Sequence, residues 1–310
     1  MAKISCKSKK EFNIEDDLFD AEDFNECNSQ ISGNIINRNE RCANEAGELL
    51  SIGFELSDGS FVDLIDVCYN RETASTIYTK HTLNGKTINS PMKSSLRPSN
   101  FKTSEIPENI SIKTTYTKSN QLKRLERILG DKMLAQGYMT TTFLSRGHLT
   151  PDADGIFISW QMATYYYVNT VPQWQSINNG NWKTIEGAVR RKAGQLKSDC
   201  LIFTGAHGIL VLNNIPITLH DNGIEVPLWT WKIIKVTSKN SGIAFATLNN
   251  PYQTLKPTPL CKDICKETKW DKSNFKDFNK GFTICCKISD LMKVIPAIPE
   301  EANADHILKK

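Results

Sequence analysis

The 310-residue sequence lacks any apolar run that approaches the roughly eighteen residues needed to cross a membrane as a helix. Its most apolar stretches, such as residues 200–203 and 208–212, have only the length of single strands. It also contains no internal repeat and no low-complexity segment. Hydrophobic residues make up 39% and charged residues 23%. This composition permits a hydrophobic core and excludes a wholly disordered chain, while the short apolar runs exclude a membrane span.

The net charge of +4 is small, but it is unevenly distributed along the chain. Residues 1–10 contain four lysines and no acid, and residues 11–26 contain eight acids and no base. The remaining 284 residues therefore carry a net charge of +8. A basic body behind a short acidic arm suits a polyanionic partner, although an acidic tail on an ordinary basic protein explains the same pattern equally well.

Nine cysteines are a high number for a cytosolic protein of this size. They are Cys6, Cys27, Cys42, Cys68, Cys200, Cys261, Cys265, Cys285 and Cys286. The spacing of the last four raises the alternative of a zinc site. Adjacent cysteines without a suitably spaced histidine fit such a site poorly, so we expect these four in disulfides formed in an oxidising compartment. Because nine is odd, at least one thiol is free or pairs between chains.

The first ten residues contain no apolar stretch that could serve as a signal peptide. Because the cysteine content indicates the secretory route, we interpret the sequence as the mature form of a secreted, extracellular protein. A single glycosylation sequon, Asn109-Ile110-Ser111, is compatible with this interpretation.

Hydrophobic periodicity predicts both strands and helices. Residues 47–90 alternate apolar and polar positions between turn signals, which indicates short antiparallel strands. A helix is predicted from an N-cap at Ser119 through NQLKRLERILGDKML, with one face formed by Leu122, Leu125, Ile128 and Leu129. Further on we predict a strand at 138–144, a helical stretch at 160–169, a helix from about 178–181, and strands at 200–204, 208–212, 229–236 and 243–248. This order predicts an α+β fold.

We expect the chain to have three parts. Residues 1–26 form an acidic, disordered N-terminal arm, and residues 27–105 form a β-rich region that contains cysteines. The stretch 86–118, rich in Ser, Thr, Asn and Pro, connects these strands to the first predicted helix. Residues 106–310 form the main domain, with a cysteine-rich C-terminal segment.

The most informative residues lie between positions 145 and 190. His148 follows a glycine at the end of a predicted strand, where the backbone can approach a substrate closely. Arg146, two residues earlier, supplies a positive fork suited to phosphate. At intervals of four, a helix would present Asn178, Trp182, Glu186 and Arg190 on one broad face. An amide oxygen, a carboxylate and a guanidinium together suit a hydrated cation beside a phosphate.

Each of these residues has an ordinary explanation when it is taken alone. Glu186 and Arg190 could form an exposed ion pair one helical turn apart. The aromatic run Tyr165–Tyr167 and Trp174 could form a platform for stacked bases, but packing of a helix onto a sheet explains it better. The joint spacing of the polar residues favours a functional site.

This spacing resembles the DNA/RNA non-specific endonucleases, the ββα-metal nucleases of the Serratia type that include mitochondrial endonuclease G. The family carries D-R-G-H and then N-x-x-P-Q-x(4)-N-x-G-x-W-x-x-x-E. The matching residues here are Arg146-Gly147-His148, Asn169, Pro172-Gln173, Asn178, Gly180, Trp182 and Glu186, followed by the weaker matches Phe203-Thr204-Gly205 and Trp231-Lys232. The resemblance covers about residues 110–250, and the cysteine-rich ends are similar to the secreted arthropod branch, which includes digestive double-strand RNases and salivary nucleases.

The resemblance implies a ββα-metal fold with a mixed, mostly antiparallel sheet, flanking helices and disulfides. It also implies a Mg²⁺-dependent endonuclease, with Mn²⁺ as an alternative ion, that hydrolyses DNA, RNA or both without sequence specificity. His148 would be the general base, Asn178 the single protein ligand of the ion, and Glu186 the residue that orients metal-bound waters. Arg146 and Arg190 would lie near the scissile phosphate as further catalytic residues. The expected contacts with the nucleic acid are Arg146, Lys183, Arg190 and Trp174. We infer no membrane and no protein partner.

One departure from the family pattern leaves alternatives open. The first motif residue of the family is Asp, whereas this chain has Ser145. A serine can replace an Asp that supports the loop through one hydrogen bond, but not one that tunes the histidine or the metal waters. The main alternative is therefore a nucleic-acid-binding protein of the same fold with weak residual cleavage. An interaction protein without a nucleic-acid role would leave the motif residues unexplained.

Overall fold

The computed structural model describes residues 33–91, 98, 100–221 and 223–310, together with the backbone of three short strands nearer the N-terminus. It divides into two compact units, residues 1–32 and 33–310. In the first unit β1 (Ile4–Cys6), β2 (Glu11–Ile14) and β3 (Asp17–Asp20) pair in antiparallel order. These pairings differ from the disordered arm expected for residues 1–26, because Ile, Phe and Leu between the acids favour strands. The other residues of that arm lie outside the described residues, and their disorder stays a prediction.

The second unit contains fifteen further strands and seven helices among its described residues. The strands are β4 (Asn34–Cys42), β5 (Gly47–Glu55), β6 (Phe61–Asn70), β7 (Ser75–Leu83), β8 (Leu144–His148), β9 (Thr170–Trp174), β10 (Cys200–Ile209), β11 (Val211–Leu212), β12 (Ile215–Pro216), β13 (Thr218–His220), β14 (Gly223–Glu225), β15 (Pro227–Val236), β16 (Ser241–Leu248), β17 (Thr283–Cys286) and β18 (His306–Ile307). The helices are α1 (Ile112–Thr115), α2 (Lys118–Leu129), α3 (Lys132–Met139), α4 (Ile158–Ala163), α5 (Gln175–Ile177), α6 (Lys183–Leu196) and α7 (Ile288–Val294). None of the described helices is long and apolar enough to cross a membrane.

One nine-stranded sheet organises this unit, with the strand order β17-β16-β15-β10-β7-β6-β5-β4 and β18 parallel to β16. The remaining pairs in this order are antiparallel, as predicted. The central contact joins β7 to β10, for example Leu83 to Cys200. Strands β4–β7, which are the described strands of the β-rich region predicted for residues 27–105, therefore belong to the same sheet as strands of the domain predicted for 106–310. The edge of β7 is completed by β10, more than a hundred residues later.

Helices cover both faces of this sheet. Successive residues of β10 and β15 point to opposite faces, as the pleat requires. The α6 face buries Ile185, Val189, Ile202 and Ile234. The opposite face buries Phe203, Ile233, Ile288 and Leu291 against α7. Because both faces of the sheet are buried, its central strands form a rigid support for the side chains that they carry.

The predicted helix from Ser119 is two helices. Gly130 has a left-handed φ of 67° and ends α2, and α3 then continues to Met139. Thr117 is the N-cap instead of Ser119, because its hydroxyl accepts a hydrogen bond of 3.4 Å from the Asn120 amide. The predicted apolar face is confirmed, since Leu125 and Leu129 are buried with Leu122 and Ile128 packed beside them.

Two other predicted elements are displaced. The strand expected at 138–144 begins only at Leu144, since α3 occupies its first residues. The helical stretch expected at 160–169 is shorter, because its second half makes tertiary hydrogen bonds instead of helical ones. The backbone of Lys102 bonds to that of Tyr165 and Tyr167 at 2.8 and 3.0 Å.

The disulfides expected at the C-terminal end are confirmed. Cys261 pairs with Cys286 and Cys265 with Cys285, while Cys42 and Cys68 join β4 to β6. Asp263, Cys265 and Cys285 lie close enough together to suggest a metal cluster, but both cysteines are disulfide-bonded and offer no thiolate. Cys200 is a free, buried thiol, and the side chains of Cys6 and Cys27 lie outside the described residues.

Candidate active site

A two-stranded ribbon of β8 and β9 carries the Arg-Gly-His segment. Its register places His148 opposite Thr170 and Arg146 opposite Pro172. Because alternate residues of a strand share a face, Arg146 and His148 project to the same side of the ribbon. Both contact Phe101: the Arg146 guanidinium lies 4.8 Å and the His148 ring 4.9 Å from the centre of its ring. The ribbon therefore presents a cation and an imidazole side by side.

The motif residue Asn169 fixes the backbone immediately after His148. Its carbonyl accepts from the Leu149 amide at 3.0 Å, and its Oδ1 accepts from the Thr150 amide at 2.9 Å. Its Nδ2 donates to the Thr150 carbonyl at 2.9 Å. Asn169 is fully buried, so these bonds are protected from water. These hydrogen bonds hold the turn beside the histidine.

Ser145 and Asn178 form a direct contact that determines how the asparagine amide is oriented. The Ser145 hydroxyl donates to the Gln173 carbonyl at 2.8 Å. With its single proton used there, Oγ can only accept from Asn178 at 3.2 Å, so the partner atom is Nδ2. The amide oxygen of Asn178 is thereby directed away from Ser145.

Asn178 does not lie on a continuous helix with Glu186, as the spacing of four had predicted. A π-helical turn at Asn178–Trp182 connects α5 to α6, and Gly180 within it has a non-helical ψ of −119°. A Cβ at Gly180 would lie 2.7 Å from the Lys280 carbonyl, so this close approach requires glycine. Trp182 is buried under the sheet instead of sharing an open face with the others.

Beside the turn that follows His148 lies a group of five titratable side chains, which we call the buried charge cluster although two of its members, Glu186 and Arg190, are only partly buried. The other three are His81, Asp154 and Lys232. Asp154 accepts from Arg190 at 2.8 Å and contacts His81 Nε2 at 2.9 Å. Burial raises the pKa of Asp154, but its bonds and the neighbouring cations outweigh this and hold it below the ordinary value. Burial, reinforced by nearby acids and opposed by Lys232 and Arg190, raises the pKa of Glu186 to about 7.

The structure separates the predicted site residues into groups. Arg190 pairs with Asp154 instead of forming the simple exposed pair with Glu186. Lys183 is exposed at the start of α6, where a phosphate could reach it. Trp174 is 0% exposed, so the prediction that it contacts nucleic acid is wrong. The Tyr165–Tyr167 run is also buried, as the packing explanation requires.

Sequence reasoning missed three members of the buried charge cluster. Asp154 lies in a short turn without periodicity, and His81 lies in a strand, where a lone histidine gives no signal. Lys232 was noted only as part of a weak family match. The pairing of β7, β10 and β15 brings His81 and Lys232 together, and hydrogen bonds to His81 and Arg190 hold Asp154 beside them. No local pattern encodes these contacts.

The family model of the DNA/RNA non-specific endonucleases matches residues 45–291, and the chain belongs to this family. Among its relatives, a salivary endonuclease of Lutzomyia longipalpis is 34% identical over 295 residues, which cover 92% of this chain and 70% of that protein. A salivary endonuclease of Culex quinquefasciatus is 30% identical over 283 residues, covering 88% and 72% of the two chains. Salivary protein Tsal1 of Glossina morsitans morsitans is 27% identical over 286 residues, covering 87% and 69%.

Among solved structures, a chain of the EndoG/EndoGI complex is similar with a TM-score of 0.41 and 17% identity, covering 62% of this chain and 74% of that chain. The resemblance to the arthropod nucleases is therefore confirmed by the family match and by the salivary endonucleases, and the α+β fold with disulfides is the one expected.

Proposed function

We propose that the protein is a secreted, Mg²⁺-dependent endonuclease that hydrolyses phosphodiester bonds of DNA, RNA or both without sequence specificity. The observation that carries this proposal is the hydrogen-bond pair of Ser145, which uses the Asn178 amide nitrogen and leaves the amide oxygen available to a metal ion. The family membership and the salivary endonuclease relatives support the nuclease activity itself. The three disulfides and the salivary relatives support secretion.

The donor set fits a hard divalent cation. Asn178 offers an amide oxygen whose direction is fixed by Ser145, and Glu186 offers a carboxylate that could hydrogen-bond to bound waters. Burial raises the pKa of Glu186, and a nearby divalent charge would oppose this shift and favour the ionised carboxylate. Mg²⁺ retains several waters and needs few protein ligands, and Mn²⁺ would accept the same oxygens. When bound, the ion would polarise the phosphate and offset the charge on the leaving oxygen.

His148 would act as the general base. In its neutral form the imidazole accepts a proton from the water that attacks phosphorus, while the hydrogen bonds of Asn169 hold the turn beside it. Arg146 lies on the same face of the ribbon and would bind a phosphate oxygen. Arg190, paired with Asp154, retains 21% of its side-chain surface and would contribute a weaker, partly neutralised charge near the phosphate.

A nucleic-acid-binding protein with weak cleavage is the second candidate, favoured by Ser145 in place of the family Asp. The hydrogen bond from Asn178 counts against it, because the serine supplies an acceptor for the amide. Phosphate contacts alone would give binding without sequence preference in either case.

Two assays separate the candidates. Cleavage of plasmid DNA and of RNA is measured with Mg²⁺ and with chelator, and binding is measured by a gel shift in chelator. We expect metal-dependent cleavage together with binding in chelator. His148→Ala should lose about a hundred- to ten-thousandfold in rate but bind as before, while the exposed His306→Ala serves as the matched control. Binding without cleavage would support the second candidate, and no binding would refute both.

A further inference from the structure

Lys232 is a buried cation that the proposed reaction does not use. It lies on β15 between β10 and β16, opposite Thr204 and Phe245, and only 1% of its surface is exposed. Burial of an ammonium is costly unless it is paired and hydrogen-bonded. Its Nζ donates to the Thr204 hydroxyl at 2.5 Å and to the Leu149 carbonyl at 3.1 Å.

The second of these bonds reaches the residue next to His148. Leu149 is fully buried, and its amide is already bound by the carbonyl of Asn169. Lys232, on a central strand of the sheet, thus holds the Leu149 carbonyl, while Asn169 holds the Leu149 amide. The turn carrying His148 is fixed on one side by Asn169 and on the other by Lys232.

We propose that Lys232 is a positioning residue for His148, whose ammonium fixes the imidazole by holding the Leu149 carbonyl. This inference rests on the proposed function. A misplacement of about 1 Å in a reacting group can cost a hundredfold in rate, so one anchoring bond beside the base has a measurable effect.

The other groups that face Lys232 suggest a competing explanation. Glu186, Asp154 and Arg190 contribute to the electrostatic environment of its ammonium, and its Nζ lies 5.4 Å from the centre of the Trp182 ring. Lys232 could therefore act only as a counter-ion for Glu186. The two explanations differ in which partner must be present for the lysine to affect the rate.

The first measurement is the steady-state kinetics of Lys232→Met at saturating Mg²⁺. We expect kcat to fall about ten- to a hundredfold, with KM for nucleic acid and the half-saturating Mg²⁺ concentration unchanged. The matched control is Lys235→Met on the same strand, since Lys235 bonds to the Glu301 carbonyl at an exposed position. An unchanged kcat, or a change confined to KM or to the Mg²⁺ requirement, would overturn the inference.

Double-mutant cycles identify the partner through which Lys232 acts. In a His148→Ala background, Lys232→Met should cause no further loss, because there is no base left to position. In a Glu186→Gln background the loss should persist. A full additional loss beside His148→Ala, or disappearance of the loss beside Glu186→Gln, would contradict the inference.

A folding control accompanies the cycles, since Lys232→Met leaves the neighbouring acids without their cation. If thermal unfolding shows that this variant is not folded, Lys232→Gln replaces it, because its amide is neutral and retains a donor. The same outcomes then apply to Lys232→Gln with a smaller loss. A parent protein that does not cleave would refute the proposed function and this inference with it, whereas a cleaving parent that tolerates both substitutions would refute the inference alone.

Discussion

The hydrogen bonds of Ser145 predict the effect of removing one hydroxyl. Ser145→Ala deprives the Asn178 amide of its acceptor and the Gln173 carbonyl of its donor. A neutral hydrogen bond contributes about 0.5–1.5 kcal/mol net to stability. The free-energy preference of the Asn178 amide for its observed orientation should fall by this amount in Ser145→Ala. Because about 1.4 kcal/mol is a factor of ten, the Mg²⁺ concentration that gives half the maximal rate should rise about two- to twelvefold.

The assay is the cleavage rate as a function of Mg²⁺ concentration. Raised Mg²⁺ should restore most of the rate of Ser145→Ala, because a bound ion selects the correct amide orientation. Ser145→Asp retains an acceptor and adds a negative charge, so it should need no more Mg²⁺ than the parent. Ser176→Ala is the control, since the Ser176 hydroxyl is buried and makes no hydrogen bond to the described residues.

The outcome that refutes this reasoning is specific. If Ser145→Ala needs no more Mg²⁺ than the parent while Asn178→Ala does, the serine does not orient the amide. If neither variant changes the Mg²⁺ requirement, Asn178 is not the ligand.

Charge, burial and covalent cross-links give three further predictions. The logarithm of the binding constant for nucleic acid should fall linearly with the logarithm of salt concentration at constant Mg²⁺, because phosphate contacts release counter-ions. A flat response in a gel-shift titration would contradict contact with the backbone. Burial lowers the pKa of His81 more than its bond to Asp154 raises it. His81 therefore binds a proton in the unfolded chain near histidine's ordinary pKa of about 6.5, but only at lower pH in the folded protein. Because the unfolded state binds more protons, the free energy of unfolding should fall from about pH 7 to pH 5. Denaturant titrations should show this slope reduced in His81→Gln and preserved in the exposed control His306→Gln. Replacing both Cys265 and Cys285 by alanine should cost about 2 kcal/mol in denaturant unfolding, because the enclosing Cys261–Cys286 bridge remains and only a small loop is released. An unchanged midpoint would show that the bridge does not constrain the unfolded chain.

Local patterns predicted the parts of the fold that depend on neighbouring residues. The alternation in residues 47–90 predicted β5, β6 and β7, and the apolar face of Leu125 and Leu129 predicted α2. The same approach misplaced the N-cap, because several neighbouring polar residues could cap the helix equally well. It also missed the break at Gly130, because a single glycine does not interrupt the apolar periodicity. Capping is decided by whether Thr117 can turn its hydroxyl to the Asn120 amide.

The sequence by itself determined the family and the identity of the proposed reacting groups, because motif spacing places His148, Asn178 and Glu186 at fixed distances along the chain. It also determined that the C-terminal cysteines form bridges. Only the tertiary structure decided what surrounds those groups. Trp174 became a core residue because it packs edge to face against Tyr252 in the hydrophobic core. Lys232 reached the Leu149 carbonyl because β15 pairs with β10 in the central sheet, and Asp154 reached the site because its turn is bonded to His81 on β7 and to Arg190 on α6. Strand pairing between distant segments depends on burial and register summed over the whole sheet, and these quantities are not written in any local stretch of sequence.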